Sequence, residues 1–208
     1  MKIYKDKIEL IETHISGTDS VLDLGFWGQG VNVNNPKWIH KILKNRARKV
    51  YGLDIEFDQS VYKGPLYIQA SAENFLLPEK VDILFAGDLI EHVSNPGLFL
   101  ESCLRNVSKD GKLIISTPNT FNLFTMTEKM SKGEPTINPE HVFYFNEKTL
   151  RTLLHRHGWE VVEVSFLYRL FVEHRESWKK KVLNVVYKLL SLATPRYVET
   201  IVIVAKPK

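Results

Sequence analysis

Residues 21–30 read VLDLGFWGQG and residues 50–54 read VYGLD. Together they constrain this chain more than any other feature, because they pair a glycine-rich strand-to-helix turn with an acid at the tip of the next strand. Val21, Leu22 and Leu24 form a short apolar strand. Gly25, Gly28 and Gly30 then let backbone approach a ligand where a Cβ would collide. Asp54 follows Gly30 by about two dozen residues, close to the ~20 of the dinucleotide fingerprint, and its carboxylate can accept both hydroxyls of a ribose. The pattern predicts a nucleoside cofactor site. The glycines run G-x-x-G-x-G rather than G-x-G-x-x-G, which disfavours a pyrophosphate cradle.

A chain of 208 residues can bury one substantial core, and a split would leave two small ones, so residues 1–208 are expected to form a single domain. Its 44% hydrophobic and 25% charged residues exclude wholesale disorder. The net charge of +4 is mild, and without clustered charge interleaved with aromatics no nucleic-acid partner is expected. Cys103 stands alone, so no intramolecular disulfide can form and a reducing cytoplasm is the expected location. Neither a signal-like N-terminus nor a run of ~20 apolar residues is present, which predicts a soluble protein.

Ile3, Ile8, Ile11 and Ile15 recur with helical spacing before Gly17 and predict an N-terminal helix over residues 1–17. Asn35-Pro36 predicts a helix start, with the helix running to about Arg48. Val50 to Leu53, Pro65 to Gln69, Val81 to Ala86 and Lys112 to Thr117 read as strands buried on both faces. Asn95-Pro96 starts a helix through about Val107, and Asp110-Gly111 turns the chain into the next strand. A helix over Asn146 to His157 stops at Gly158, followed by strands Trp159 to Phe166 and Glu199 to Ala205. This alternation predicts an α/β, doubly wound sheet with its ligands beyond the carboxyl ends of the strands. Residues 118–145 and 167–198 fall outside it as substrate-side insertions. The second carries a basic helix near Trp178 to Leu192, whose apolar stripe and lysines fit either a packed surface helix or peripheral contact with an anionic membrane.

The order of motifs resembles class I S-adenosylmethionine-dependent methyltransferases of the bacterial type 11/23 kind. The resemblance rests on VLDLG with its glycine loop, GLD at 52–54, Ala72-Glu73, FAGDLIEHVSNP at 85–96, DGKLIISTPN at 110–119 and HVFYFN at 141–146. It implies a Rossmann-like, seven-stranded, mostly parallel sheet with an antiparallel last strand, and S-adenosyl-L-methionine as cofactor. Cofactor contacts are implied at Asp23, Gly25, Phe26, Gly28, Gly30, Asp54, Ile55, Ala72, Glu73, Gly87, Asp88 and Leu89. Ser71 stands where the family commonly has an acid. Trp27 in the loop and Trp38 after it resemble a bacterial subgroup associated with cell-surface polysaccharides, which points to a saccharide or other small-molecule acceptor.

A sulfonium methyl arrives activated, so the protein mainly aligns the reactants. A hydroxyl acceptor would gain from a general base, and neutral histidine suits that task. His92 and His141 are the candidates, and O-methylation is the expected reaction. Phe121, Phe124, Met126 and Tyr144 are candidate walls for the acceptor. No metal site is assigned: Asp88, Glu91 and His141 would all have to converge on one hard cation. An NAD(P)-dependent oxidoreductase and a non-catalytic S-adenosylmethionine-binding module are the alternatives.

Overall fold

Short aliphatic runs alternate with amphipathic segments, and each run finds a place in one sheet covered on both faces. The computed structural model describes residues 1–28, 34–135, 138–168 and 194–208. Along the chain come β1 (Ile3–Tyr4), α1 (Lys7–His14), β2 (Ser20–Leu24), α2 (Ile39–Arg46), β3 (Lys49–Asp54), β4 (Tyr67–Gln69) and β5 (Val81–Gly87). There follow α3 (Pro96–Asn106), β6 (Val107–Pro118), α4 (Leu123–Lys132), α5 (Glu147–Arg156), β7 (Trp159–Leu167), a 3-10 turn (Pro195–Tyr197) and β8 (Thr200–Pro207).

The strand order is β1-β7-β8-β6-β5-β2-β3-β4. Among the described residues only β8 runs antiparallel to its neighbours, β6 and β7; the remaining pairs are parallel. The expected Rossmann-like sheet with its antiparallel last strand is therefore present, extended at one edge by the two-residue β1. Chain order reverses between β2 and β5, so the crevice above their carboxyl ends is the natural ligand position.

Side chains alternate between two cores. Val21, Val50, Ile83 and Ile114 meet Leu10 and Ile11 of α1 and Leu43 of α2 on one face. Leu22, Leu53, Leu84 and Ile115 meet Phe99 and Leu100 of α3 and Leu150 and Leu154 of α5 on the other. Each such side chain contributes about 1.5–3 kcal/mol when fully buried. Trp159 ties this second layer together, since its indole N–H donates to the Leu100 carbonyl at 3.1 Å.

Three local expectations are corrected, and one segment gains a helix. Residues 3 and 4 are strand rather than helix, because Tyr4 accepts the Tyr168 N–H and α1 begins only after Asp6, whose side chain caps Glu9. α2 starts at Ile39 instead of Pro36; the Asn35 side chain accepts the Lys37 N–H and its carbonyl the Trp38 N–H, and Trp38 precedes the helix with its indole committed to the Phe26 carbonyl. Asp110 and Gly111 sit within β6, at an irregularity in its pairing with β5, rather than ahead of it. Residues 118–145 carry α4, which buries no side chain and so left little periodic signal. Residues 169–193, with the expected basic helix, lie outside the described residues.

The connection from β4 to β5 has no helix, and side chains of α3 hold it instead. Asn106 accepts the Leu77 N–H at 2.7 Å and donates to the Phe75 carbonyl at 3.0 Å, while Ser102 donates to the Glu73 carbonyl at 2.7 Å. Because Asn106 is buried, removing its amide strands two backbone groups. Asn106→Ala is expected to lower unfolding free energy by about 3 kcal/mol in urea titrations.

Candidate active site

The edge above β2 and β3 is shaped by one carboxylate. Asp54, ending β3, accepts the Trp27 N–H at 3.0 Å and the Gly28 N–H at 3.2 Å through the same oxygen, Oδ2. The Gly25 N–H in turn donates to the Leu53 carbonyl at 2.8 Å. These bonds fold the loop sharply back, and Gly25 (φ 75°) and Gly28 (φ 53°) supply the left-handed turns that glycine adopts without strain. Gly30 lies outside the described residues. Ile55, 70% exposed, stands beside Asp54 as an apolar wall in water. Opposite, Leu89 lies 3.2 Å from the place a Cβ on Gly25 would take, so the two lips of the crevice nearly touch.

Phe26 does not line this edge with its ring. It is buried at the centre of an aromatic cluster, with ring centroids 4.8 Å from His40, 5.1 Å from Phe57, 5.6 Å from Tyr67 and 5.8 Å from Tyr62. Gly52 makes room for it: a Cβ there would fall 2.9 Å from the Phe26 ring. Asp23 is likewise turned inward, where its Oδ2 meets His40 Nδ1 at 3.0 Å. Burial holds the Asp23 carboxyl above the usual carboxylate value, against the opposing pull of His40. The Glu73 carboxylate accepts the Ser94 N–H at 2.7 Å, and Ala72 is buried. For Phe26 and Asp23, whose side chains are buried, any ligand contact thus falls to the backbone.

The other half of the edge, above β5 and β6, is built from side chains. Asp88 takes φ 58°, a left-handed conformation open to few residues besides glycine, and accepts from Lys7 Nζ at 3.0 Å and Ser116 Oγ at 2.8 Å. Lys7 thereby brings α1 to the edge, and its Nζ lies 3.3 Å from where a Cβ on Gly87 would be. Glu91 is buried and accepts from Thr117 Oγ1 at 2.9 Å, while its Oε1 has no hydrogen-bond partner among the described residues. Burial, helped by the Asp88 charge, pushes the Glu91 carboxyl up to about 7. The Glu91 carbonyl accepts the Val142 and Phe143 N–H groups at 2.8 and 3.2 Å, which brings the His141 segment onto this turn. The His92 and His141 rings meet edge to face, with centroids 4.8 Å apart. Farther along, a cavity of about 610 Å³ opens between α4, α5 and the 3-10 turn, lined among others by Asn119, Phe121, Met126, Arg196 and Tyr197. Phe124 and Tyr144 are not among its walls.

Residues 4–164 match the methyltransferase domain family. The chain belongs to this family. It is 28% identical over 127 residues to a probable S-adenosylmethionine-dependent methyltransferase of Mycolicibacterium smegmatis, covering 58% of this chain and 47% of that protein. The chain thus spans about half the length of that curated relative. Its fold is similar to a solved methyltransferase from Archaeoglobus fulgidus, at 19% identity, TM-score 0.63, and 96% and 91% coverage of the two chains. A methyltransferase from Mesorhizobium loti gives 13% identity, TM-score 0.55 and 91% coverage of each chain. The family match sets aside the nicotinamide-dependent alternative.

For a methyltransferase, the residues present fit S-adenosylmethionine. Two glycines at positive φ leave the loop backbone bare, and an exposed aliphatic wall adjoins the acid at the end of β3. Each carboxylate oxygen has two lone pairs, so Asp54 can hold the loop and still accept hydroxyls through Oδ1, whose present contact is the Glu56 N–H at 3.4 Å. Sequence reasoning did not find Lys7, His40, Ser116 or Thr117. Each acts through a partner far along the chain, which no local spacing discloses. His40 offers a test of the loop's support. Asp23→Ala would leave His40 Nδ1 buried without its hydrogen-bond partner and is expected to lower stability by about 2 kcal/mol. Adding His40→Leu should recover much of that loss, as read from a urea double-mutant cycle.

Proposed function

We propose that the protein methylates an oxygen of a small-molecule or saccharide acceptor, using S-adenosylmethionine. The observation that carries this reading is the division of one sheet edge into a glycine loop held by Asp54 and, across β5, a Glu91, His92 and His141 cluster. When bound, the cofactor supplies a methyl group already activated by the sulfonium. The work left to this chain is alignment and proton handling.

On the cofactor side, the Gly25 and Gly28 backbone and Leu89 would hold the methionine portion. Asp54 would accept the ribose hydroxyls, with Ile55 and Ala72 beside the base. Gly87 and Asp88 would border the reacting end. On the acceptor side, a hydroxyl must lose its proton as it reacts, and the half-buried His92 and His141 rings stand where that proton would leave. The cavity's mixture of Phe121, Met126 and Tyr197 with Asn119 and Arg196 suits a hydroxylated acceptor that has apolar faces, as sugars do.

Two substitutions separate these roles. Asp54→Ala removes a charge-assisted partner of the ribose and should weaken S-adenosylmethionine binding about 10- to 100-fold by calorimetry. An unaltered dissociation constant would remove Asp54 from the cofactor site. His92→Ala should slow turnover about 100-fold or more while leaving cofactor affinity nearly unchanged. The acceptor itself is sought by transferring labelled methyl groups into cell extracts and identifying the product by mass spectrometry. Cofactor binding without transfer to any extract would instead support a non-catalytic binding module.

A further inference from the structure

Glu91 presents a problem that the methyl-transfer reading does not resolve. The residue is 1% exposed and, among the described residues, Oε1 lacks a hydrogen-bond partner, although Oε2 is satisfied by Thr117. A buried oxygen left this way costs on the order of 1–3 kcal/mol, more if charged. Natural chains seldom keep such an atom without a use for it. One carboxylate oxygen of Glu91 and one ring nitrogen each of His92 and His141 lie within 4.8 Å of one another.

We infer that Glu91, His92 and His141 form a binding site for a divalent first-row transition metal, which receives the acceptor oxygen in the proposed methyl transfer. Ligands about 2.0–2.2 Å from a common ion stand roughly 3–4 Å apart, so small side-chain rotations complete the set. The backbone is already committed to this arrangement. The Glu91 carbonyl holds Val142 and Phe143, the His92 N–H donates to the Leu89 carbonyl at 2.9 Å, and the His141 N–H donates to the Asn138 carbonyl at 3.0 Å. The nearly perpendicular rings, at 87°, can direct nitrogens to one point without clashing.

Donor chemistry selects the ion. Two imidazoles with one carboxylate suit zinc, cobalt, manganese or iron, whereas magnesium and calcium favour oxygen alone. Asp88, which the sequence placed with Glu91 and His141 as a possible ligand, is held by Lys7 and Ser116 and is not in the set. Three protein ligands leave positions open for a small molecule. An acceptor hydroxyl in an open position would release its proton to solvent near neutral pH, because the cation stabilises the oxyanion. His92 and His141 then act as ligands, and neither is required to carry the proton.

The inference rests on the methyltransferase reading for the role of the ion, but its test does not. Protein stripped with EDTA and dialysed is titrated with cobalt(II) alone, followed by visible absorption, and then with zinc(II), followed by melting temperature. Saturable one-to-one cobalt binding and a zinc-dependent rise in melting temperature are expected. Loss of an outer hydrogen-bond partner already weakens metal sites 10- to 100-fold, so Glu91→Gln and His141→Ala should each weaken cobalt binding by about 100-fold or more. Circular dichroism and S-adenosylmethionine calorimetry on the same samples report that the variants are folded. Absence of saturable cobalt binding, or wild-type binding by both variants, overturns the site. So does full turnover by metal-free protein when His92→Ala is slow, which assigns the histidine as base. Stripped protein that binds S-adenosylmethionine but no metal defeats this inference and leaves the methyltransferase reading standing.

Discussion

Much of the edge depends on the two hydrogen bonds that Asp54 accepts from the Trp27 and Gly28 N–H groups. They pull the glycine loop across the end of β3, and the loop can follow only because Gly25 and Gly28 adopt positive φ. Turning the loop this way drives the Phe26 ring under the edge, into space that Gly52 leaves empty. Phe26 then packs on His40, and His40 is fixed by Asp23 on the strand where the loop began. The result is a closed circuit of contacts from β2 through the loop, β3 and α2 back to β2. A loop held so at several points presents its backbone amides in one geometry, which is the pre-organisation a small cofactor requires.

Much of this was legible from local sequence. Strands β2, β3 and β5 are continuous apolar runs because both faces of a parallel sheet are covered. Asn95 and Asn146 declare their helices because a cap acts within three residues. What stayed hidden was held by distant partners. Ile3 and Tyr4 are too few to show a period, and become a strand only by pairing with Phe166 and Leu167. Pro36 satisfied the rule for a helix start, yet α2 waits until Ile39 because the Trp38 indole is held by Phe26. At the site, Gly25, Gly28 and Asp54 could be named from spacing alone. That Asp23 would face a histidine, and that Glu91 rather than Asp88 would join both candidate histidines, follows from contacts between remote segments.

The two halves of the edge use different materials. Above β2 and β3 the ligand surface is largely backbone, and its side chains point inward to hold that backbone in shape. Above β5 and β6 the surface is made of ionisable side chains, one of them buried at an energetic cost. The first half can therefore stay constant in geometry while side chains nearby vary, whereas the second changes its chemistry with a single residue. Division of this kind suits a fold in which one cofactor serves many acceptors.

The ion pair between Lys7 and Asp88 joins the first helix to the turn that follows β5. Helix termini open more readily than sheet interiors, and Lys7 is the first residue of α1. Asp88, at an unfavourable φ, is held in place partly by that lysine. Slack at that ion pair would reach the turn beside the crevice without passing through a strand. The first helix is in this sense a latch on the reaction edge as well as a cover for the core.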